Sequence, residues 1–362
     1  MDKQSIKNKC TRFLSGHKHI SPELQFQQMS EWCKKHKVSA DHYGNGIFLQ
    51  NFEEKIAKIL GKEAAVFMPS GTMAQQIALR IWSEASRNNH VAMHSTSHVE
   101  LHEHRGYEHL HNLRVSLLGS PLRVPNVSDI EQIPETLSTI LLELPMREIG
   151  GMLPTWKDLQ AMKSLCRKRS TKLHLDGARL WECRGFYANK TYAEICEGFD
   201  SVYVSFYKGI GGISGAALAG DRNFIEQSRI WLRRHGGNLF SLHPYYISAA
   251  MNLDARLDAM PKFLQRAKSL AKVLSKEKFI AIKPGIPHVN MFHLFVKGDS
   301  EALEKVHLQL ASKSKLWISG YFHPAQVPGW CWFETYIGEN ALEISDREII
   351  NAMRSIDQMN RS

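Results

Sequence analysis

The sequence lacks the cysteine pairs that mark disulfide frameworks and zinc sites. Its cysteines lie at positions 10, 33, 166, 183, 196 and 331, and no two of them form a CxxC pair. In a chain of 362 residues, scattered cysteines are typical of reduced thiols in a cytoplasmic protein. We therefore expect a cytoplasmic location.

Long apolar runs are also missing. No run in the sequence approaches the ~20 residues that a transmembrane helix needs. The first twenty residues carry basic side chains but no apolar core of the kind found in signal peptides. We expect neither membrane insertion nor secretion.

The net charge of +10 is not concentrated anywhere. No basic stripe and no nucleic-acid-binding motif accompanies it, so the sequence does not favour a nucleic-acid partner. An excess of positive charge also suits anionic small molecules.

Short β-branched runs alternate with helical stretches through most of the chain. The strand candidates are "AAVFM", "HVAMH", "TILLEL", "KLHLD" and "SVYVSF". This alternation predicts an α/β domain with a mainly parallel sheet. We place an N-terminal arm and helix at residues 1–40, the large domain at 41–250 and a small α+β domain at 251–362.

A helix begins directly after the first strand candidate. Ser70, Gly71 and Thr72 open it, in "MPSGTMAQQIALR". The unpaired N–H groups and partial positive charge of a helix N-terminus suit a phosphate. Ser or Thr before a helix is also a common N-cap, so this motif alone does not indicate a ligand.

Two further strands end on charged residues. "KLHLDGARLWE" ends its strand on Asp176, with Arg179 three residues later. A carboxylate there points to the crevice where α/β proteins bind ligands, although a structural Asp–Arg pair would look the same. "SVYVSFYKGIGG" delivers Lys208 into a glycine-rich turn. A desolvated lysine can attack a carbonyl, but a surface lysine would also suit such a turn.

Together the three motifs match the needs of pyridoxal phosphate. Its aldehyde bonds to a lysine, its ring nitrogen needs an anion, and its phosphate needs backbone donors. Lys208, Asp176 and the Ser70–Gly71–Thr72 turn would supply these groups.

The segments "VFMPSGTMAQ", "HLDGARLWE" and "SVYVSFYKGIGGISGAALAG" closely resemble the aromatic amino acid beta-eliminating lyase/threonine aldolase family. The resemblance implies a pyridoxal phosphate enzyme of the aspartate aminotransferase-like fold (fold type I). It implies that Lys208 bonds the cofactor, that Asp176 pairs with the pyridine nitrogen, and that the Ser70–Gly71–Thr72 turn holds the phosphate. It also implies that Arg179 contacts the cofactor or the substrate.

The same resemblance implies two further features. His98 corresponds to a histidine stacked on the cofactor ring. Because a neighbouring subunit completes the active site in this fold, a homodimer or homotetramer is expected.

His98 belongs to a histidine-rich stretch, "HSTSHVELHEHRGYEHLH". His94, His98 and His102 are four residues apart and would share one face of a helix. The HExxH order is absent, so we favour stacking by His98 and no metal. We expect the rest of the stretch to be polar surface near the site.

The segments that contact the substrate in this family differ in this chain. Where threonine aldolases carry a segment like ENTHN, this chain has "ELPMREIGG", with Met146 in place of the histidine and Arg147 after it. The usual C-terminal arginine is replaced near Trp332. Arg147 is our first candidate for binding the substrate carboxylate, and Arg233, Arg234 and His235 are alternatives.

The sequence thus predicts a lyase, similar to threonine aldolase, that cleaves a β-hydroxy amino acid to glycine and an aldehyde. In that reaction His98, or a water held by it, would take the β-hydroxyl proton. A β-eliminating lyase or an amino acid racemase with the same cofactor site is the alternative. A catalytically idle binding protein is the third hypothesis.

Overall fold

The computed structural model describes residues 2–361. Its α-helices are α1 (Lys3–Asn8), α2 (Pro22–His36), α3 (Ile47–Leu60), α4 (Gly71–Ser86), α5 (His98–Leu101), α6 (Gly106–His111), α7 (Val127–Glu131), α8 (Trp156–Lys168), α9 (Tyr192–Cys196), α10 (Arg222–Arg234), α11 (His243–Leu274), α12 (Ser300–Ser314), α13 (Glu339–Leu342) and α14 (Asp346–Arg361). Among these described helices, none combines the length and the apolar character needed to cross a bilayer.

The strands are β1 (Arg12–Phe13), β2 (Ala64–Met68), β3 (His90–His94), β4 (Arg114–Leu118), β5 (Thr139–Glu143), β6 (Lys172–Gly177), β7 (Ser201–Ser205), β8 (Ala216–Gly220), β9 (Ile280–Lys283), β10 (Met291–Lys297), β11 (Leu316–Trp317), β12 (His323–Pro324) and β13 (Trp330–Tyr336). Short 3-10 helices follow β5 and β6, at Arg147–Ile149 and Leu180–Glu182.

The chain divides into two compact units. One contains Ile20–Glu148 and Leu153–Asp258, and the other contains Met1–His19, Ile149–Met152 and Ala259–Ser362. These limits differ from the predicted boundaries at residues 40 and 250. The first strand explains part of the difference, because β1 pairs with β11 of the C-terminal unit. The second limit falls inside helix α11, where sequence composition gives no boundary signal.

The larger unit is built on a seven-stranded sheet in the order β2-β8-β7-β6-β5-β3-β4. β8 runs antiparallel to both its neighbours, and the pairs from β7 through β4 are parallel. Every residue of β3, β5, β7 and β8 is buried. Continuous apolar strands of this kind occur where helices cover both faces of a parallel sheet. The predicted α/β class with a mainly parallel sheet is confirmed.

Two strands of this sheet were not predicted. β8 has the sequence AALAG, and alanine and glycine have little preference for strands. It is a strand because it fills the space between β2 and β7, which tertiary packing determines. β4, at the opposite edge, is only partly buried and shows no clear alternation.

Helix α4 follows strand β2 and packs against the sheet. It buries an apolar stripe that includes Ile77, Ala78 and Trp82, and Trp82 stacks on Phe224 with ring centroids 4.8 Å apart. Ser70 caps its N-terminus by accepting a hydrogen bond from the Met73 N–H. The helix therefore starts just beyond the carboxyl end of β2.

The smaller unit contains an antiparallel sheet in the order β12-β13-β10-β9. β13 alternates between buried and half-buried residues, as expected for a sheet with one covered face. Its Trp332 stacks on His293 with ring centroids 4.2 Å apart. The segments "VNMFHLFVKG" and "WCWFETYIG" contain β10 and β13.

A buried polar chain crosses the core of the larger unit. The Trp82 Nε1–H donates to Ser201 Oγ (2.8 Å), which lies 2.7 Å from His174 Nδ1. His174 Nε2 lies 2.7 Å from Gln75 Oε1. Burial lowers the pKa of His174 to about 3, so the imidazole is neutral in the folded protein.

This hydrogen-bonded network predicts a pH dependence of folding stability. His174 has an ordinary pKa of 6.5 and a folded value of about 3, so the unfolded protein binds the proton first as the pH falls. Above pH 6.5 the neutral His174 ring makes its full contribution to the free energy of unfolding. Between pH 6.5 and about 3 this contribution falls by ~1.4 kcal/mol per pH unit. In denaturant unfolding between pH 6.5 and 4, His174→Gln should show a shallower slope than the parent. The exposed His109 gives the control His109→Gln, which should keep the parental slope. Equal slopes for His174→Gln and the parent would contradict this interpretation.

Candidate active site

Neighbouring strand ends bring the predicted site residues together. In the sheet register Glu143 at the end of β5 lies beside Asp176 of β6, and Asp176 lies beside Tyr203 of β7. Lys208 follows β7 by three residues. Because β5, β6 and β7 are parallel, their carboxyl ends open on the same crevice.

The loop that carries Lys208 is held by hydrogen bonds within itself and by one to the turn before helix α4. The Phe206 N–H donates to the Gly215 carbonyl (3.0 Å), and the Gly212 N–H donates to the Phe206 carbonyl (2.7 Å). The Ser214 hydroxyl donates to the Pro69 carbonyl (2.8 Å). This bond places the lysine loop beside the turn that starts helix α4. The structure thus joins two motifs that are far apart in the sequence.

The glycines of the lysine loop have a local structural reason. Gly215 has a φ of +108°, and a Cβ there would lie 2.3 Å from the Phe67 ring. Gly211 has a φ of +75°. At Gly215 the close approach that the structure records is to a core phenylalanine.

Asp176 is one of the most buried acids of the chain, with 1% of its surface exposed. Its Oδ1 accepts a hydrogen bond from the Ala178 N–H (3.1 Å). Burial raises the pKa of Asp176, while the positive charge of Lys208 opposes this change. The carboxylate is therefore stabilised by a cation on the next strand end and by one backbone donor.

Lys208 experiences the opposite shift. Burial lowers its pKa, and the nearby charge of Arg179 lowers it further, against Asp176 and Glu143. An amine shifted in this direction is more often neutral and can act as a nucleophile near neutral pH. The surface-lysine alternative does not fit, because Lys208 is partly buried among charged groups.

The start of helix α4 contains Ser70, Gly71 and Thr72. The Ser70 hydroxyl acts as the N-cap, at 3.4 Å from the Met73 nitrogen, so the capping alternative describes part of its role. Thr72 is exposed and Gly71 is buried. A Cβ at Gly71 would lie 2.1 Å from the Tyr203 hydroxyl. Glycine is therefore required here by a tyrosine that reaches the helix terminus from β7.

His98 begins helix α5, after the end of β3. Its Nδ1 lies 3.1 Å from Glu103 Oε1, and Gln76 Nε2 donates to Glu103 Oε2 (3.0 Å). The rings of His98 and His102 have centroids 5.1 Å apart. The charge of His98 acts on Asp176, which places His98 at the same crevice.

Arg147 lies in the 3-10 helix after β5. Its Nη1 is 2.7 Å from Glu148 Oε1, and His102 Nε2 is 2.9 Å from the same oxygen. The positive charge of Arg147 contributes to lowering the pKa of Lys208. Arg147 therefore lies at the correct edge of the sheet, where it is paired with Glu148.

The alternatives to Arg147 lie near the end of helix α10. The Arg233 guanidinium lies over the Tyr43 ring, 5.1 Å from its centroid, and that of Arg234 lies over Trp231 at 4.6 Å. His235 faces the His111 ring at 5.2 Å. These residues pack on aromatic rings.

The histidine-rich stretch is less exposed than predicted. His94, Glu103 and His111 are buried, so the expectation of polar surface is wrong for them. His94 lies on strand β3, where its ring contacts Thr96 and the Ser120 carbonyl. His94 therefore does not share a helix face with His98 and His102.

Sequence reasoning missed two buried acids at the crevice. Glu143 accepts a hydrogen bond from the Arg147 N–H (3.1 Å), and burial, followed by the charge of Asp176, raises its pKa to about 8. The signal that identified Asp176, an acid at the end of an apolar strand, also applies to Glu143. Glu103 had no such signal, because it sits in a polar stretch.

The chemistry of these groups fits pyridoxal phosphate. A helix N-terminus suits the phosphate, a buried carboxylate suits the ring nitrogen, and a partly buried amine of lowered pKa suits the aldehyde. The Glu143 Oε2 atom is buried without a hydrogen-bond partner among the described residues. An unsatisfied polar atom at this edge is what a site shaped for a further polar group would leave.

Comparisons with known proteins agree with this assignment. The family profile described as Beta-eliminating lyase matches residues 25–297. A solved structure from Listeria monocytogenes EGD-E, assigned as an L-allo-threonine aldolase, is 39% identical, covers 98% of each chain and has a TM-score of 0.92. Low-specificity L-threonine aldolase 1 of Arabidopsis thaliana is 26% identical over 303 residues, which cover 78% of this chain and 82% of that protein.

One similar protein has a different activity. Alanine racemase TOXG of Cochliobolus carbonum is 27% identical over 211 residues, which cover 57% of this chain and 54% of that protein. The family profile matches well over half of this chain, and the Listeria structure matches nearly all of it. The chain therefore belongs to the beta-eliminating lyase family of pyridoxal phosphate-dependent, fold type I proteins.

Proposed function

We propose that the protein is a lyase of the threonine aldolase type, which cleaves the Cα–Cβ bond of a β-hydroxy amino acid to give glycine and an aldehyde. The observation that carries this proposal is that buried Asp176, at the end of β6, and Lys208, in the loop after β7, act on each other electrostatically, with the lysine loop hydrogen-bonded to the turn before helix α4. The similarity to proteins with threonine aldolase names supports the reaction type.

Each cofactor contact has a residue suited to it. Lys208 would bond the aldehyde carbon, Asp176 would accept a hydrogen bond from the protonated ring nitrogen, and the Ser70–Gly71–Thr72 turn would donate to the phosphate. Arg179 supplies positive charge beside Lys208. Bound pyridoxal phosphate supplies an electron-withdrawing ring that stabilises negative charge at Cα.

The protein's own groups then direct bond cleavage. His98 would lie against the cofactor ring, where its Nε2 would take the β-hydroxyl proton. Asp176 would favour a protonated ring nitrogen through its buried negative charge. Orientation decides which bond to Cα breaks, so the substrate carboxylate needs a fixed cationic partner.

Arg147 is proposed as that partner. Its position after β5 and its charge beside Lys208 support this role. In the structure its guanidinium binds Glu148, so a substrate carboxylate would replace or share this acid. Ion pairs of partly exposed side chains are weak, and the exchange is therefore energetically accessible.

β-Elimination or racemisation is the second candidate function. Buried Met146 stands where the family resemblance places a histidine, and the racemase similarity favours the same possibility. Both reactions would use the same lysine and aspartate. An amino acid panel separates them by product.

We also propose that the chain acts as a homodimer or homotetramer. Tyr43 and Phe240 are exposed to 47% and 61%, respectively, and their rings contact each other edge to face at 5.4 Å. Exposed aromatic pairs are typical of protein interfaces. A second copy of this chain is the proposed occupant.

A cytoplasmic location is proposed from the thiols. All six cysteines are free thiols. Burial raises the pKa of Cys166, Cys183 and Cys196 among them. Protonated, buried thiols suit a reducing compartment.

The reaction itself is tested with a panel of amino acids. The purified protein loaded with pyridoxal phosphate should release glycine and acetaldehyde from L-threonine or L-allo-threonine. Lys208→Ala should fold and lose turnover to the background rate, because the nucleophilic amine is absent. Lys157→Ala, at an exposed position on helix α8, should keep parental turnover. Pyruvate or an inverted enantiomer without glycine would replace the aldolase assignment, and turnover by Lys208→Ala would contradict the site.

The carboxylate partner is tested by Arg147→Lys. Lysine keeps the charge but not the two-pronged geometry that a carboxylate prefers. The apparent KM for the substrate should rise about tenfold, equivalent to ~1.4 kcal/mol, while the visible absorption of the bound cofactor stays unchanged. Arg233→Lys should leave KM at the parental value. An unchanged KM in Arg147→Lys together with a raised KM in Arg233→Lys would transfer the role to helix α10.

A further inference from the structure

Glu103 has an unusual environment for a glutamate in a short connecting segment. It lies between helices α5 and α6, yet only 3% of its side chain is exposed. Gln76 of helix α4 donates to one carboxyl oxygen, and His98 Nδ1 lies within hydrogen-bond distance of the other. Burial of a carboxylate is costly unless it is paired and hydrogen-bonded, so this arrangement requires an explanation.

The hydrogen bond to Glu103 fixes the state of the His98 ring. An ionised carboxylate only accepts hydrogen bonds, so the proton between the two groups is on Nδ1. The other nitrogen, Nε2, is then the acceptor of the neutral ring. The field of an adjacent anion also favours the imidazolium that forms when Nε2 takes a proton.

The position of the pair makes this effect relevant to catalysis. The charges of both His98 and Glu103 act on Asp176, whose pKa burial raises as the largest cause. Glu103 also acts on Tyr203 and Tyr207, whose pKa values burial raises first. The pair therefore lies at the crevice that contains the cofactor-binding groups.

A difference from the family on the substrate side of the site makes the His98–Glu103 pair important in this chain. The family resemblance places a second histidine where this chain has Met146, which is 1% exposed and carries no titratable proton. The neighbouring His102 has its Nε2 within 2.9 Å of Glu148 Oε1, so His98 is our candidate for taking a proton. An isolated imidazole there would be a weaker base than one paired with a carboxylate.

We propose that Glu103 is a positioning residue that holds His98 with Nδ1 protonated and Nε2 ready to accept the β-hydroxyl proton. This inference rests on the proposed function for its reaction step. The β-hydroxyl O–H bond breaks, its proton moves to Nε2, and the C–O bond gains double-bond character as the Cα–Cβ bond breaks. The Cα–Cβ electrons remain on Cα, which takes a proton to complete glycine, and His98 returns its proton to water. Glu103 stays ionised throughout.

Several other titratable groups surround His98. They are His102 on its own helix, Asp176 at the end of β6, Lys208 after β7, and Glu148 and Arg147 through their contacts with His102. A variant at Glu103 leaves all of these unchanged. A difference between that variant and the parent therefore reports on Glu103.

Glu103→Leu removes the acceptor for the His98 Nδ1–H, and Glu103→Gln keeps it without the charge. In Glu103→Gln the amide oxygen can accept from Nδ1–H. Its amide nitrogen can donate to Gln76 Oε1, which is buried without a partner among the described residues, once the Gln76 amide turns over. The fold should therefore tolerate Glu103→Gln. Glu108→Gln is the matched control, because Glu108 forms an exposed pair with Arg105, the residue just before helix α6.

The first measurement is the histidine nitrogen NMR spectrum of the holoenzyme, with the His98 signal assigned by its loss in His98→Gln. The parent and Glu108→Gln should show the Nδ1–H form of His98. Glu103→Leu should lose this preference because the acceptor is gone, and Glu103→Gln should keep it. The second measurement is turnover, which should fall at least about tenfold in Glu103→Leu and be partly restored in Glu103→Gln, with cofactor absorption unchanged in both.

The possible outcomes are distinguishable. A parental tautomer of His98 in Glu103→Leu would overturn the inference, whatever reaction the enzyme catalyses. Loss of cofactor absorption in Glu103→Gln would show a structural role and would also overturn it. Failure of the parent to release glycine would refute the proposed aldol reaction, while the NMR spectrum would still decide the role of Glu103.

Discussion

The site depends on one electrostatic constraint, the placement of a carboxylate and an ammonium group together in a region with little water. Asp176 and Lys208 are shifted by burial in opposite directions, each toward its neutral form, and each opposes the shift of the other. Removing a single ion from water costs several kcal/mol, so neither group would be charged there alone. Asp176 lies on strand β6 itself, and Lys208 lies in the loop that directly follows the parallel strand β7.

The same constraint extends to the rest of the crevice. Glu143 is held largely protonated near neutral pH, because burial and then Asp176 raise its pKa to about 8. Glu103 is compensated by Gln76 and His98, and Glu148 is compensated by Arg147 and His102. Acids and cations alternate around the site. A substrate with both an amino and a carboxylate group can therefore bind by exchanging partners with these pairs.

The sequence predicted the strands and the cofactor half of the site because those signals are local. The apolar run before Asp176 and the glycine turn after Lys208 are each contained in about ten residues, and parallel strands bring such endings together. Strand β8 was not predicted, since AALAG becomes a strand only by filling a place between two others. The N-terminal segment was also placed differently, because its pairing with β11 joins residues some 300 positions apart.

Contacts made through tertiary structure explain the remaining differences. Gly71 is required by the Tyr203 hydroxyl, and Gly215 by the Phe67 ring, which no local pattern could reveal. Glu103 is buried by a glutamine from another helix. Its position in a polar, histidine-rich stretch predicted the opposite. The roles of Arg147 and His98 stay predictions, since they concern a substrate that has to bind first.

The charge of Asp176 is the most direct test of the account. In Asp176→Asn the shape and the hydrogen bond from Ala178 can be retained, while the negative charge facing Lys208 and the ring nitrogen is removed. Holoenzyme of this variant should keep bound cofactor, measured by absorption, and should lose turnover by about 100-fold, or ~2.7 kcal/mol. Turnover within twofold of the parent, with cofactor bound, would contradict the assignment of Asp176 as the buried anion on which the site depends.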